Sequence, residues 1–310
     1  MDSENHLTRS KSIKNPAFVG LSVLQSSRRR WLRYFSLCGM TSCLEESSLR
    51  ADQEKTYAAK VLFKNPVAYW RLGEKTGSTA IDATGRGYDG TFHGTPLFIQ
   101  PGAIKNDRDG AIQFDGNQSY IEIPDHPDFS IAKSGKGLTI EAWMRPDVLE
   151  FPGQTDDPYI MWLGKGDVGK YEWGLRFYSR QSTRPNRISA YAFNANGGLG
   201  AGAYFEDKLT VGEWIHIVAI FSPGDAKDPK AGVSIYRNGK LRQGPSMRGA
   251  SGTLYRSYDI TPSHGDSPLR LGTVNRKSFL TGALDEVAIY PRMLSPGEIL
   301  DHYRTGTAKA

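Results

Sequence analysis

The sequence predicts an all-β protein: an antiparallel two-sheet jelly-roll sandwich with a short C-terminal helix and a disordered N-terminal tail. Short runs of alternating apolar residues recur along the chain, and clusters of Gly, Pro, Asp and Asn separate them. Such alternation is what a sheet with two different faces requires, because neighbouring side chains of a strand point to opposite sides. A convincing helix start occurs only near the C-terminus.

The predicted elements follow one another with turn residues between them. In chain order the strands are VAYWRL (67–72), AIQFD (111–115), YIEIP (120–124), LTIEAWMRP (138–146), YIMWLG (159–164), EWGLRFYS (172–179), RISAYAFN (187–194), GAYFE (202–206), EWIHIVAIFS (213–222), GVSIYRN (232–238), LRLGTV (269–274) and ALDEVAIY (283–290). Asn238-Gly239 predicts a tight hairpin. Ser295 and Glu298 form the S-x-x-E pattern of a capping box, with Pro296 at the first helical position.

The chain divides into residues 1–56, a tail, residues 57–306, one domain, and residues 307–310, a second short tail. Residues 1–60 hold 10 Lys and Arg against 6 Asp and Glu, whereas the other 250 residues hold 29 against 27. Residues 27–33, SRRRWLR, followed by a short apolar run, indicate an export or anchoring segment. A disordered basic tail and a start placed too early remain open alternatives.

Composition excludes several function classes for residues 57–306. The nearly neutral body lacks the dense basic stripe of a nucleic-acid-binding surface, and no run is long and apolar enough for a membrane-spanning helix. Both cysteines, Cys38 and Cys43, lie in the tail, so the domain has no disulfide framework. Neither an H-E-x-x-H pair nor a G-x-S-x-G elbow nor a P-loop occurs.

Several stretches resemble the laminin-G-like, concanavalin A-like lectin jelly-roll family. They are residues 68–94, 110–124, 138–146, 211–221, 235–241, 269–272 and 282–303, in the family's order. The resemblance implies two curved sheets packed face to face in a module that binds ligands, often carbohydrate, outside the cytoplasm. Because one fold carries many activities, the resemblance does not fix the ligand.

Two adjacent acids, Asp285 and Glu286, stand in the last predicted strand. Regular alternation predicts that their side chains point to opposite faces, so they would not act together as the carboxylate pair of a glycosidase. The E-x-D-x-E pattern of related jelly-roll hydrolases does not occur; the nearest strand has one acid, Glu141. By resemblance, Asp285 matches an aspartate that holds a structural Ca²⁺, with Gly116 and Asp115 as further oxygen ligands.

Sugar binding requires a flat aromatic face beside fixed polar groups. Alternation places Glu141, Trp143 and Arg145 on one face of their strand. Arg176 and Tyr178 share a face of another strand, and Tyr191 lies with Phe193 and Arg187 on a third; if these faces align, they form a groove. Trp143 and Tyr191 could instead be core residues.

The sequence therefore predicts a non-catalytic, extracytoplasmic lectin-like module that binds a glycan or cell-surface ligand through Glu141, Trp143, Arg145, Arg176, Tyr178 and Tyr191. Its scaffold is expected to carry a structural Ca²⁺. A polysaccharide hydrolase or lyase of the same fold and a protein–protein adhesion domain are the alternatives. The ligand's identity and the oligomeric state do not follow from the sequence.

Overall fold

The structure, a computed structural model, describes residues 56–99, 101–152, 157–194, 201–222, 232–242, 251–254 and 262–308. The predicted tail lies outside these residues, apart from Thr56. The strands are β1 (Ala68–Trp70), β2 (Thr79–Ala80), β3 (Gly90–His93), β4 (Leu97–Ile99), β5 (Ala111–Asp115), β6 (Tyr120–Ile123), β7 (Leu138–Pro146), β8 (Tyr159–Lys165), β9 (Trp173–Tyr178), β10 (Ile188–Ala192), β11 (Ala201–Phe205), β12 (Ile215–Ser222), β13 (Gly232–Arg237), β14 (Lys240–Leu241), β15 (Ser251–Leu254), β16 (Leu269–Leu271) and β17 (Thr281–Tyr290). The helices are α1 (Tyr57–Phe63), α2 (Ile131–Ser134) and α3 (Pro296–Thr307), with a 3₁₀ turn at Pro127–Phe129.

The strands form two antiparallel sheets, which confirms the predicted jelly-roll sandwich. Sheet A has the order β14-β13-β12-β7-β17-β5-β4, with β1 also pairing with β17. Sheet B has the order β15-β11-β10-β9-β8-β16-β6-β3-β2. Neighbours in each sheet are often far apart in sequence, as in the pairing of β7 with β17.

The core of the sandwich comes from the alternating apolar residues of both sheets. In β7 the inward residues include Leu138 and Ile140, and in β9 they include Leu175 and Phe177. Fully burying one such side chain contributes about 1.5–3 kcal/mol. The intervening residues, such as Glu141 and Arg176, therefore point away from the core, on the outer faces of sheet A and sheet B.

Helices α1 and α3 cover the outer face of sheet A. A second apolar cluster lies beneath them and includes Tyr57, Trp143, Tyr290 and Ile299. Helix α3 begins with the predicted capping box, in which the Ser295 side chain accepts from the Glu298 N–H and the Glu298 carboxylate accepts from the Ser295 N–H. This arrangement fixes the start of α3 where it meets the sheet.

Strand β17 contains a β-bulge that overturns the predicted divergence of its two acids. The pairing with β7 shifts between Asp285 and Ala288, and Glu286 has a φ of 52°. Leu284 and Val287 both enter the sandwich core, so two residues instead of one lie between inward positions. Asp285 and Glu286 therefore both lie on the outer side of sheet A. The prediction of opposite faces was wrong because it assumed an unbroken strand.

Candidate functional site

The outer face of sheet B carries a concentration of aromatic and arginine side chains on β8, β9 and β10. Arg176 lies on β9, between Tyr159 of β8 and Tyr191 of β10. Its guanidinium carbon is 4.4 Å from the centre of the Tyr159 ring and 4.5 Å from that of Tyr191. We refer to Tyr159, Tyr171, Arg176, Tyr178, Tyr191 and Phe193 as the arginine–tyrosine surface.

Small residues on the neighbouring strands make room for the tyrosine rings. Tyr191 pairs with Gly174 on β9 and with Gly202 on β11. A Cβ atom at residue 202 would lie 2.7 Å from Cδ1 of Tyr191, closer than side chains tolerate. The glycine therefore allows the ring to lie directly against β11, beside Arg176.

The aromatic residues of this surface differ in exposure. Tyr178 and Tyr191 are buried, at 1% and 3% exposed, and their hydroxyl oxygens lie 3.5 Å apart. Tyr159, Tyr171 and Phe193 are partly exposed. Phe193 packs against both Tyr171 and Tyr191, with ring centres 5.7 and 5.8 Å apart. The buried tyrosines thus support a surface whose accessible rings are those of Tyr159, Tyr171 and Phe193.

Burial keeps the Tyr191 hydroxyl in its neutral form. Removal from water, followed by the neighbouring Tyr178, raises the pKa of Tyr191 above its ordinary value. Burial likewise raises the pKa of Tyr171. Both phenols are protonated at neutral pH, as a tyrosine of ordinary pKa is, and the raised pKa values keep them hydrogen-bond donors into more alkaline solution.

Two other arginines contact tyrosines on this face, and each is paired with an acid. Arg184 forms an ion pair with Asp157, and the Arg187 Nε donates to Glu206 Oε1 over 2.7 Å. In the part of the chain that the structure describes, no carboxylate lies within 4.0 Å of the Arg176 guanidinium, and its buried Nε has no hydrogen-bond partner. Among the described residues, Arg176 is therefore the arginine of this group that contacts aromatic rings but has no acidic partner.

The three other predicted ligand-binding residues lie on the other sheet. Glu141 is fully buried beneath α1 and α3, and Trp143 is 2% exposed. Arg145 forms an ion pair with Asp147 at 2.9 Å and lies over the Trp214 ring. The structure therefore brings together Arg176, Tyr178 and Tyr191, and separates them from Glu141, Trp143 and Arg145 by the whole sandwich. The sequence predicted one groove lined by all six residues, whereas the structure divides them between the outer faces of the two sheets.

Glu141 is the centre of a buried polar cluster. Tyr57 and Tyr290 donate their hydroxyls to its carboxylate over 3.1 and 2.7 Å. His216 Nε2 lies 2.7 Å away and His302 Nδ1 lies 3.0 Å away. Burial alone would raise the pKa of Glu141, but the charge of His302 and the hydrogen bonds from both histidines outweigh it and hold the pKa well below its ordinary value.

The predicted metal ligands are not brought together. Asp115 pairs with Thr281, so Asp285 lies four residues further along β17, roughly 13 Å away at about 3.3 Å per residue. Asp115 Oδ1 instead accepts from the backbone N–H groups of residues 117–119, and these bonds outweigh burial and lower the pKa of Asp115 to about 2. Gly116, with φ 75°, forms the turn itself. The described residues contain no cluster of three or more His, Cys, Asp or Glu side chains suited to a metal.

Asp285 and Glu286 lie beneath the loop that precedes β5. The Asp285 Oδ2 accepts from the Ala103 N–H over 2.6 Å, whereas its Oδ1 has no partner. Glu286 accepts from Tyr69 and from Arg71. Burial raises the pKa of Glu286 to about 7 despite Arg71, and burial together with Glu286 raises the pKa of Asp285. The two acids are 2% and 1% exposed, so no large substrate reaches them.

Tyr159 and Tyr171 were missed by the sequence reasoning. Tyr159 alternates with the inward Ile160, a signal that was present in the run YIMWLG. Tyr171 precedes β9 and had no such signal, because its position depends on how the chain turns between β8 and β9. Phe193 lies beside Tyr191, as alternation indicated.

Comparisons with known proteins agree with this architecture. The model of the family described as "Concanavalin A-like lectin/glucanases superfamily" matches residues 115–300. No curated protein matches the sequence. The structure is similar to the botulinum neurotoxin type G receptor-binding domain, with a TM-score of 0.51 and 15% identity over 77% of this chain and 51% of that chain.

Two further structures are similar at slightly lower TM-scores. Domain 4 of AbnA, a GH43 extracellular arabinanase from Geobacillus stearothermophilus in complex with arabinotriose, has a TM-score of 0.49 and 18% identity over 77% of this chain and 98% of that chain. Trypanosoma rangeli sialidase has a TM-score of 0.49 and 12% identity over 77% of this chain and 32% of that chain. The chain spans about half the length of the neurotoxin domain, and at these identities the likeness concerns the fold alone. None of the described helices is long and apolar enough to cross a membrane.

Proposed function

This chain belongs to the concanavalin A-like lectin/glucanase superfamily, and we propose that it is a non-catalytic carbohydrate-binding protein whose sugar site is the arginine–tyrosine surface. The observation that carries the proposal is the arrangement of two partly exposed rings, Tyr159 and Phe193, beside the half-buried guanidinium of Arg176, with the partly exposed Tyr171 packed against Phe193.

The chemistry of a sugar fits this arrangement. A pyranose has an apolar C–H face and a rim of hydroxyls, so a binding site combines aromatic area with a few fixed polar groups. Tyr159 and Phe193 provide the area, and the Arg176 guanidinium between them is a fixed donor. The rings are already packed against one another, so little side-chain entropy is lost on binding.

The position of the acids supports a binding role over a hydrolytic one. Asp285 and Glu286 lie on the opposite sheet and are at most 2% exposed, and each accepts hydrogen bonds from the surrounding protein. Glu141 is buried in the same way. A glycosidase pair must reach both sides of a glycosidic bond. Protein–protein adhesion remains the alternative if the same surface binds a protein without its glycans.

Two further features belong to the proposal. We place the protein outside the cytoplasm, on the basis of its superfamily and the arginine-rich segment 27–33. We also retain a structural Ca²⁺ near Asp285, where the unpartnered Oδ1 fits one oxygen ligand, without Asp115 and Gly116 as its companions.

A glycan array tests the proposed site. The wild-type protein is expected to bind a subset of the glycans, and Tyr159→Ala and Phe193→Ala are expected to weaken that binding about tenfold, as loss of one aromatic contact of ~1–1.5 kcal/mol implies. Phe63→Ala is the matched control, because Phe63 is an aromatic residue of α1, 79% exposed, on the other side of the sandwich.

The outcomes separate the alternatives. Binding that is lost equally in Phe63→Ala contradicts the assignment of the site, and release of sugar from a bound oligosaccharide contradicts the non-catalytic assignment. The array and a thermal-unfolding measurement, each repeated with EDTA, test Ca²⁺. We expect the glycan specificity to be unchanged, because Asp285 is remote from the arginine–tyrosine surface. We expect the melting temperature to be lower, because the metal would stabilise the scaffold.

A further inference from the structure

We propose that the sugar bound by the arginine–tyrosine surface carries a carboxylate, and that this carboxylate binds the guanidinium of Arg176. The proposal rests on the proposed function and adds the charge class of the ligand. It follows from the contrast between Arg176 and the other two arginines of the same face.

The contrast lies in their partners. Arg184 is neutralised by Asp157 and Arg187 by Glu206, each through a direct ion pair. The described residues provide no such carboxylate for Arg176, although its guanidinium lies between rings on two neighbouring strands. A charge that is partly removed from water is costly unless it is paired. A cation kept in this position, with no acid among the described residues to pair with it, indicates an anion supplied from outside.

The environment of Arg176 also defines the direction from which an anion can approach. Tyr159 of β8 and Tyr191 of β10 close its two sides, and the Nε edge is buried against the protein without a hydrogen-bond partner. Arg176 also interacts with the Tyr178 hydroxyl, so the part of its terminal N–H edge that is exposed to solvent remains for a ligand. Two parallel N–H groups match the two oxygens of a carboxylate, and the rings hold the guanidinium in place for that contact.

The neighbouring arginines make this contact selective. Since Arg184 and Arg187 already have acids, an anionic ligand gains most from Arg176. Phe193, 5.6 Å from the Arg176 guanidinium carbon, would then contact the apolar face of the same sugar ring. The predicted ligand is thus a uronic or sialic acid residue, in which ring and carboxylate belong to one unit.

The test compares acidic oligosaccharides with their methyl esters, which have the same ring and no charge. Trigalacturonate and sialyllactose are titrated into the wild-type protein, each as the free acid and as the ester. At least one free acid is expected to bind about 10- to 100-fold more tightly than its ester, as a charge-assisted hydrogen bond implies, and to lose affinity as NaCl is added.

Variants then assign the preference to one residue. Arg176→Gln is expected to bind acid and ester equally, whereas Arg180→Gln, which removes the same charge from an exposed position after β9, is expected to keep the wild-type preference. Equal binding of acid and ester by the wild type, or a preference for sulfated lactose over the carboxylates, overturns the proposal while glycan binding itself stands. Absence of binding to every glycan of the array contradicts the proposed function instead. The wild-type comparison needs no variant, so poor folding of Arg176→Gln leaves the proposal testable.

Discussion

The substitution Glu141→Gln is expected to destabilise the domain strongly. Glu141 is fully buried and its carboxylate contacts two tyrosine hydroxyls and two histidines. Glutamine keeps the volume but removes the charge, and its amide nitrogen donates where the carboxylate accepted. The buried histidines would then lack their acid, and α1 and α3 would lose their polar attachment to sheet A.

The magnitude follows from the burial and the pairing. Removing one partner of a fully buried ion pair typically costs about 3–5 kcal/mol, because the other partner is left without compensation. For a domain of this size, ~1 kcal/mol shifts the melting temperature by about 2–4 °C, so we expect a decrease of roughly 6–20 °C. Glu150→Gln is the matched control: Glu150 is 53% exposed, its ion pair with Arg180 spans 3.7 Å, and its loss should cost no more than about 1 kcal/mol.

The assay is urea unfolding of both variants and the wild type at several pH values. Burial alone would lower the pKa of His302, but Glu141 outweighs it and raises that pKa above its ordinary 6.5. The contribution of His302 to the free energy of unfolding is therefore fully present below pH 6.5 and is lost as the pH rises through the folded-state pKa. Glu141→Gln should abolish this dependence. A loss below ~1 kcal/mol, or an unchanged pH profile, would refute the reasoning.

Two further substitutions test the bulge in β17 and the start of α3. Burial raises the pKa of Glu286 from 4.5 to about 7, so the protonated form favours folding. The contribution of Glu286 to stability, roughly 3 kcal/mol at ~1.4 kcal/mol per pKa unit, should therefore be lost as the pH rises from 4.5 to 7. Glu286→Gln should flatten this decrease in urea unfolding, and an undiminished slope would contradict it. Ser295→Ala removes the Oγ that accepts from the Glu298 N–H, so it should cost about 1 kcal/mol in thermal unfolding. An unchanged melting temperature would show that this hydrogen bond does not stabilise the start of α3.

Local patterns of the sequence predicted the elements well. Alternation identified β7, β9 and β12, and Asn238-Gly239 forms the turn between β13 and β14 with φ angles of 52° and 75°. The capping box at Ser295 marks the start of α3. Each of these depends on residues that are neighbours in the chain, and for that reason each could be predicted.

Features that depend on distant partners could not be predicted. Alternation showed that Glu141 and Arg176 both point away from the core, but not that they lie on different sheets, since that follows from pairings such as β7 with β17. Helix α1 was not foreseen, although its Tyr57 contacts Glu141 across the fold. The bulge at Glu286 arises from the register of β17 against β7. No residue type in the predicted strand 283–290 indicates it.

Hydrogen–deuterium exchange with and without an acidic oligosaccharide tests the central claim most directly, because it locates the bound sugar on one of the two outer faces. We expect slower exchange in peptides covering β8, β9 and β10, and no change in α1 and α3. Protection confined to α1, α3 or β17 would contradict the assignment of the sugar site to the arginine–tyrosine surface.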